Sequence, residues 1–136
     1  MKVLVATDGS EHSMKAVQRA LEMAEKQGAQ VTLMSVAYYV GDFDEMPPYV
    51  QEKLEAEARA ALKKSKAVFD QKGIKVETAL EAGMVPANNI ISMAEKGKFD
   101  RIIMGSTGLS GMGRVFMGST AAKVVAHAPC EVTVVR

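Results

Sequence analysis

Lys2-Val-Leu-Val-Ala-Thr7-Asp8-Gly9-Ser10 opens the chain with a nearly continuous apolar run that stops on a turn. An apolar run with no polar alternation suits a strand buried on both faces, and such strands belong to parallel sheets covered by helices. The residues that follow fit that reading. Ser10–Gln27 reads as a helix, because Met14, Val17, Leu21 and Ala24 recur at three- and four-residue spacings and Gly28 closes it. Gln30–Ala37 is a second strand, and Tyr38–Pro48 an acidic loop containing Pro47 and Pro48. A long charged helix over about Tyr49–Lys72 turns Val50, Leu54, Leu62, Val68 and Phe69 inward, and Gly73 ends it. Ile74–Leu80 is expected as a third strand, half-wet because its character alternates. Pro86 starts a helix running to about Lys96, Arg101–Met104 is a short strand, and Gly105–Met117 is glycine-rich. Ser119–His127 is a helix that Pro129 stops, and Glu131–Val135 is the last strand. The alternation predicts an α/β fold: one doubly wound domain over residues 1–136, with a parallel sheet, helices on both faces and right-handed crossovers.

Composition narrows the functional classes. A chain of 136 residues with 48% apolar and 24% charged content is globular, and a net charge of +1 offers no driving force towards nucleic acid or an anionic membrane. One cysteine excludes an internal disulfide and a cysteine-cluster zinc site. No apolar run approaches the roughly 20 residues of a membrane helix, and Val3–Ala6 is too short for a signal peptide, so a soluble cytoplasmic protein is expected.

In doubly wound sheets, ligands bind beyond the carboxyl ends of the strands where the strand order reverses. Two clusters fall at such ends. Thr7-Asp8-Gly9-Ser10 follows the first strand, and a segment beginning Gly105-Ser106-Thr107-Gly108 and closing on Gly118-Ser119-Thr120 follows the fourth. Gly105, Gly108, Gly111 and Gly113 allow successive amides to turn towards one anion, because no Cβ blocks the required angles. The helix beginning at Ser119 adds unpaired N–H groups and a positive dipole end, and Ser119 and Thr120 add hydroxyls. A glycine loop ahead of a capped helix is the plainer alternative. Two hydroxyl-bearing glycine segments bracketing one loop after a buried strand favour a phosphate cradle. Walker and dinucleotide motifs are absent: Ser119 stands at the Walker lysine position, and Phe116 where the dinucleotide fingerprint has glycine.

Gly105-x2-Gly108-x9-Gly118-Ser119 resembles the G-x2-G-x9-G-[S/T] pattern that separates ATP-binding universal stress proteins from members that do not bind ATP. The opening KVLVATDGSEHS and the ending HAPCEVTVVR are similar to the same family, so the resemblance spans essentially the whole chain. It implies a five-stranded parallel sheet of order 3-2-1-4-5 and an adenine nucleotide, ATP with accompanying Mg²⁺, in the crevice between the first and fourth strands. On matching positions it places Asp8 near the ribose or a phosphate-bound metal, Ala6, Thr7 and Val36 around the adenine, and Met104 and Gly105 beneath the nucleotide. Gly108, Gly118, Ser119 and Thr120 would hold the phosphates, with Thr107 beside them. It also implies a homodimer through Glu131–Val135. Departures from the family pattern are the longer turn Gly83-Met84-Val85-Pro86, Glu131 in place of a frequent proline, and the additional Gly111-x-Gly113.

Other residues carry plainer readings. Asp8 serves equally as N-cap of the first helix, with Glu11 three residues on. His12 and His127 show no acid partner and read as structural or surface residues, Cys130 as a buried inert thiol, and Arg114 and Lys123 as solvated charges. Ser106, Thr107 and Ser110 are loop hydrogen-bonders or phosphorylation acceptors. Three functions follow: a nucleotide-binding regulator without a catalytic residue, a nucleotide-dependent hydrolase with slow ATPase activity, and a nucleotide-free dimeric module. The absence of a lysine clamp or an evident base favours binding over turnover.

Overall fold

The computed structural model describes residues 1–107 and 117–136. Its elements are β1 (Lys2–Ala6), α1 (Glu11–Gln27), β2 (Gln30–Tyr38), a short 3-10 turn (Phe43–Glu45), α2 (Pro48–Asp70), β3 (Glu77–Gly83), α3 (Pro86–Lys96), β4 (Arg101–Gly105), α4 (Ser119–His127) and β5 (Glu131–Val135). The strands form one parallel five-stranded sheet in the order β3-β2-β1-β4-β5, as the family resemblance implies.

Strand periodicity sorts side chains between two cores. Val3, Val5, Val31, Leu33 and Ile103 face one side, where Ala16, Val17, Ala20 and Leu21 of α1 and Leu62 and Phe69 of α2 cover them. Leu4, Met34, Ile102 and Met104 face the other, beneath Ala87, Ile90 and Ala94 of α3 and Ala121 and Val124 of α4. Val3, Leu4 and Val5 are fully buried, which explains the unbroken apolar run at the start of the chain.

One strand is displaced from its expected position. Ile74–Leu80 reads as the third strand from the sequence, whereas β3 runs Glu77–Gly83. Gly73 reverses the chain in the left-handed region at φ 66°, and the Ile74 amide donates to the Phe69 carbonyl at 3.1 Å. Ile74 and Val76 therefore use their apolar side chains to pack the connector beneath the first core before pairing begins. Tyr38, assigned to a loop from the sequence, closes β2 in register with Gly83.

β5 alternates as its sequence suggests: Val132 and Val134 pack on the second core and Val135 on the first. Among the described residues, no helix is long and apolar enough to cross a membrane. Among the described residues, Phe69 is the largest fully buried side chain, and it anchors the end of α2. Phe69→Ala should cost about 3–5 kcal/mol of stability, measured by urea denaturation, from lost burial and the cavity left behind.

Candidate functional site

The strand order reverses at β1 and β4, so the crevice between their carboxyl ends is where a ligand site is expected. Ala6 ends β1 in register with Met34 on one side and Met104 on the other. Beyond it, Asp8 Oδ1 accepts from the Ser10 amide at 2.9 Å, and Gly9 takes a left-handed φ of 78°. These bonds form the Asx-type turn that carries the chain from β1 into α1. Ser10, rather than Asp8, is the N-cap: its side chain accepts from the Ser13 amide at 3.3 Å. The capping reading of Asp8 is corrected on that point, because the Gly9 turn places the helix start two residues later.

α2 closes over this turn. Lys64 Nζ donates to the Gly9 carbonyl at 2.9 Å, and a Cβ at Gly9 would lie 3.5 Å from that of Ala61. The buried Thr7 hydroxyl lies 2.8 Å from Ser65 Oγ and 3.3 Å from Ser13 Oγ. Thr7 is thus committed to a hydroxyl cluster on the α1–α2 face. Ala6, Val36 and Met104 belong to the α3–α4 face, where Met104 is buried and the other two are half-buried.

The second glycine segment meets the first crevice wall from the other side. Gly105 lies directly under the first turn of α1. A Cβ there would stand 2.7 Å from the His12 carbonyl carbon and 2.8 Å from the Ser13 amide nitrogen. Only glycine permits that approach. It brings His12 Nδ1 to 3.0 Å from Ser106 Oγ and 2.8 Å from Thr107 Oγ1. The Ser106 amide donates to the Val135 carbonyl at 2.8 Å, and the Ser106 carbonyl accepts from the Gly118 amide at 2.6 Å. Gly105–Thr107 and Gly118–Thr120 therefore converge. A Cβ at Gly118 would lie 3.3 Å from the Ser106 carbonyl oxygen.

α4 starts at this junction with Gly118 as N-cap and no side-chain cap. Glycine has no side chain to satisfy the first-turn amides, which leaves donors suited to an anion. Ser119 is exposed and Thr120 half-buried beside them. Gly108 lies outside the described residues, as do Ser110, Gly111, Gly113, Arg114 and Phe116. Lys123 is exposed on α4. Among the described residues, there is no group of three or more His, Cys, Asp or Glu side chains placed to hold a metal ion. Cys130 is half-buried, and burial, with Asp100 and Glu131 adding to it, pushes its thiol pKa up. Its reactive thiolate is disfavoured, in keeping with an inert residue.

The universal stress protein family model matches residues 1–136. The chain belongs to the universal stress protein family. It is 38% identical over 140 residues to the universal stress protein MJ0531 of Methanocaldococcus jannaschii, covering 99% of this chain and 81% of that one. Its fold is similar to that of many solved structures, among them the following two. One is the hypothetical protein MJ0577, with a TM-score of 0.83 and 27% identity over 98% of this chain and 94% of that one. The other is a universal stress protein in complex with cAMP, with a TM-score of 0.71 and 26% identity over 100% and 97%.

His12 is the residue whose place sequence reasoning missed. Its partners lie 94 and 95 positions away, and nothing local to the first helix signals them. Ser65 and Lys64 were hidden in the same way within the long charged helix, where neither is among the residues expected to turn inward. Gly105→Ala should lower stability by about 1–3 kcal/mol in denaturant titration, since its methyl must push backbone rather than a flexible side chain.

Proposed function

We propose that this universal stress protein binds ATP, accompanied by Mg²⁺, in the crevice between β1 and β4, and acts in the cytoplasm as a nucleotide-responsive regulator. The observation that carries this reading is the convergence of Gly118 on Ser106, which sets the start of α4 against the end of β4. Ser119 and Thr120 stand at the start of α4 beside this contact, where no side chain caps the helix and the first-turn amides are suited to a phosphate chain. Gly108 completes the G-x2-G-x9-G-S spacing on which ATP preference rests. The structurally similar protein solved with cAMP supports an adenine nucleotide as the ligand class. Ala6, Val36 and Met104 supply apolar contact for the base, Gly105 the floor, and Asp8 and Thr7 the adjoining turn. Mg²⁺ arrives with the phosphates and reaches Asp8 through them, since the described side chains offer no cluster to hold it independently.

Binding rather than turnover is the function this residue set supports. Phosphoryl transfer needs a cation clamp and a positioned nucleophile, and the Walker lysine position is occupied by Ser119. Turnover above about 1 s⁻¹, within the ordinary enzyme range, is the result that would favour a hydrolase instead. ATP at 100 times its dissociation constant should add about 2.7 kcal/mol of stability, read as a thermal shift. No shift at saturating ATP, with or without Mg²⁺, favours a nucleotide-free module. Gly118→Val should abolish the shift while the protein stays folded, because a side chain there presses on the Ser106 carbonyl, 3.3 Å from its Cβ, and displaces the start of α4 from the cradle. Binding equal to that of the parent would remove the cradle from this position.

We further propose a homodimer through β5. The Val135 carbonyl faces β4, accepting from Ser106, so by strand alternation the N–H and C=O groups of Val132 and Val134 face outward from the sheet. Such an edge invites pairing with a second copy about a two-fold axis. Val134→Pro removes one outward donor while leaving the β4 ladder its bonds. Light scattering coupled to gel filtration should show this variant as monomer at concentrations where the parent is dimeric; unchanged dimers would rule out pairing through this edge.

A further inference from the structure

We propose that His12 is a positioning residue that sets the hydrogen-bond polarity of the crevice, fixing whether one or both of the Ser106 and Thr107 hydroxyls can donate to a bound phosphate. This deepens the nucleotide-binding reading above and rests on it. His12 Nδ1 lies within hydrogen-bond distance of both hydroxyls, at 3.0 Å from Ser106 and 2.8 Å from Thr107. Each hydroxyl has a single hydrogen and two lone pairs, whereas Nδ1 carries either one lone pair or one hydrogen.

The two states of the ring offer different surfaces. With Nδ1 bare, one hydroxyl gives its only hydrogen to the ring and turns lone pairs outward, which repel a phosphate oxygen, so only the other hydroxyl keeps a hydrogen for an anion. With Nδ1 protonated, the ring donates to the hydroxyl oxygens and both hydroxyl hydrogens are released. They can then donate to an anion, the stronger class of hydrogen bond. A polyphosphate therefore selects the Nδ1–H ring, and a ligand moiety rich in donors selects the other.

The surroundings make this a matter of proton placement rather than of ring movement. His12 is held in the first turn of α1, whose backbone rests on Gly105 with no space for a methyl group. The Ser106 backbone is fixed at both ends, its amide on Val135 and its carbonyl on Gly118. The Ser106 side chain is buried, and Thr107 is half-buried at the crevice side. This frame fixes the backbones that carry the ring and the two hydroxyls, so within the observed geometry the hydrogen on Nδ1 decides which groups donate.

Nitrogen-15 NMR of the intact protein, labelled at histidine and titrated with Mg·ATP, tests the proposal. The His12 Nδ1 resonance should take the position of a protonated nitrogen when ATP is bound, while His127 stays unchanged. A bare Nδ1 in the ATP complex would overturn it. Calorimetric titration of variants gives the second readout. Asn puts an amide donor near the place of Nδ1, so His12→Asn should keep ATP affinity within about threefold, whereas His12→Ala should lose about tenfold or more, the scale of a hydrogen bond to a charged group. In a Ser106→Ala/Thr107→Val background, His12→Ala should change affinity less than twofold. Equal losses in both backgrounds, or tight binding by every variant, would overturn the positioning role while leaving nucleotide binding intact. No heat and no NMR change with the parent protein would overturn both readings.

Discussion

The close approach of α1 to the end of β4 is the constraint on which the crevice depends. At Gly105 the helix backbone sits where any side chain would stand, with a Cβ placed 2.7 Å from the His12 carbonyl carbon. Overpacking of that kind is relieved only by moving a helix or a strand, and both elements are held by a buried core. The contact fixes α1 laterally against the sheet. It thereby brings His12 over the hydroxyls of Ser106 and Thr107 and Ser13 over Thr7. One missing methyl group thus organises two polar clusters on one face of the sheet.

The two glycines at the ends of the segment do different physical work. Gly105 is required by packing, whether or not a ligand is present. Gly118 caps α4 without a side chain and uses its amide on the Ser106 carbonyl. A motif written as a row of glycines therefore mixes a packing demand with a helix-capping one. The family match over residues 1–136 and the strand order β3-β2-β1-β4-β5 agree with that division, since both belong to the scaffold that presents the site. α2 adds a third wall through Ala61, Lys64 and Ser65, which fasten the Asp8–Gly9 turn.

Most of the fold was readable from periodicity. Val3–Ala6 is unbroken in apolar character because both faces of β1 are covered, and Met14, Val17, Leu21 and Ala24 mark the inner stripe of α1. β3 was misplaced by three residues for a related reason: Ile74 and Val76 are apolar because they pack a connector, and period alone does not distinguish that from pairing. The helix cap went to Ser10 rather than Asp8 because both are good caps and only the Gly9 turn selects between them.

The linear order of residues determined the alternation of strands and helices, the glycine spacing and the two clusters at strand ends, since these depend on neighbours within a few positions. Tertiary structure alone decided that His12 meets Ser106 and Thr107, that Thr7 turns towards Ser65, and that Gly118 docks on Ser106. Those contacts join residues from 12 to 95 positions apart. They exist because the folded sheet seats α1 over the end of β4, α2 against the end of β1 and the start of α4 on the end of β4, and no local propensity encodes those distances.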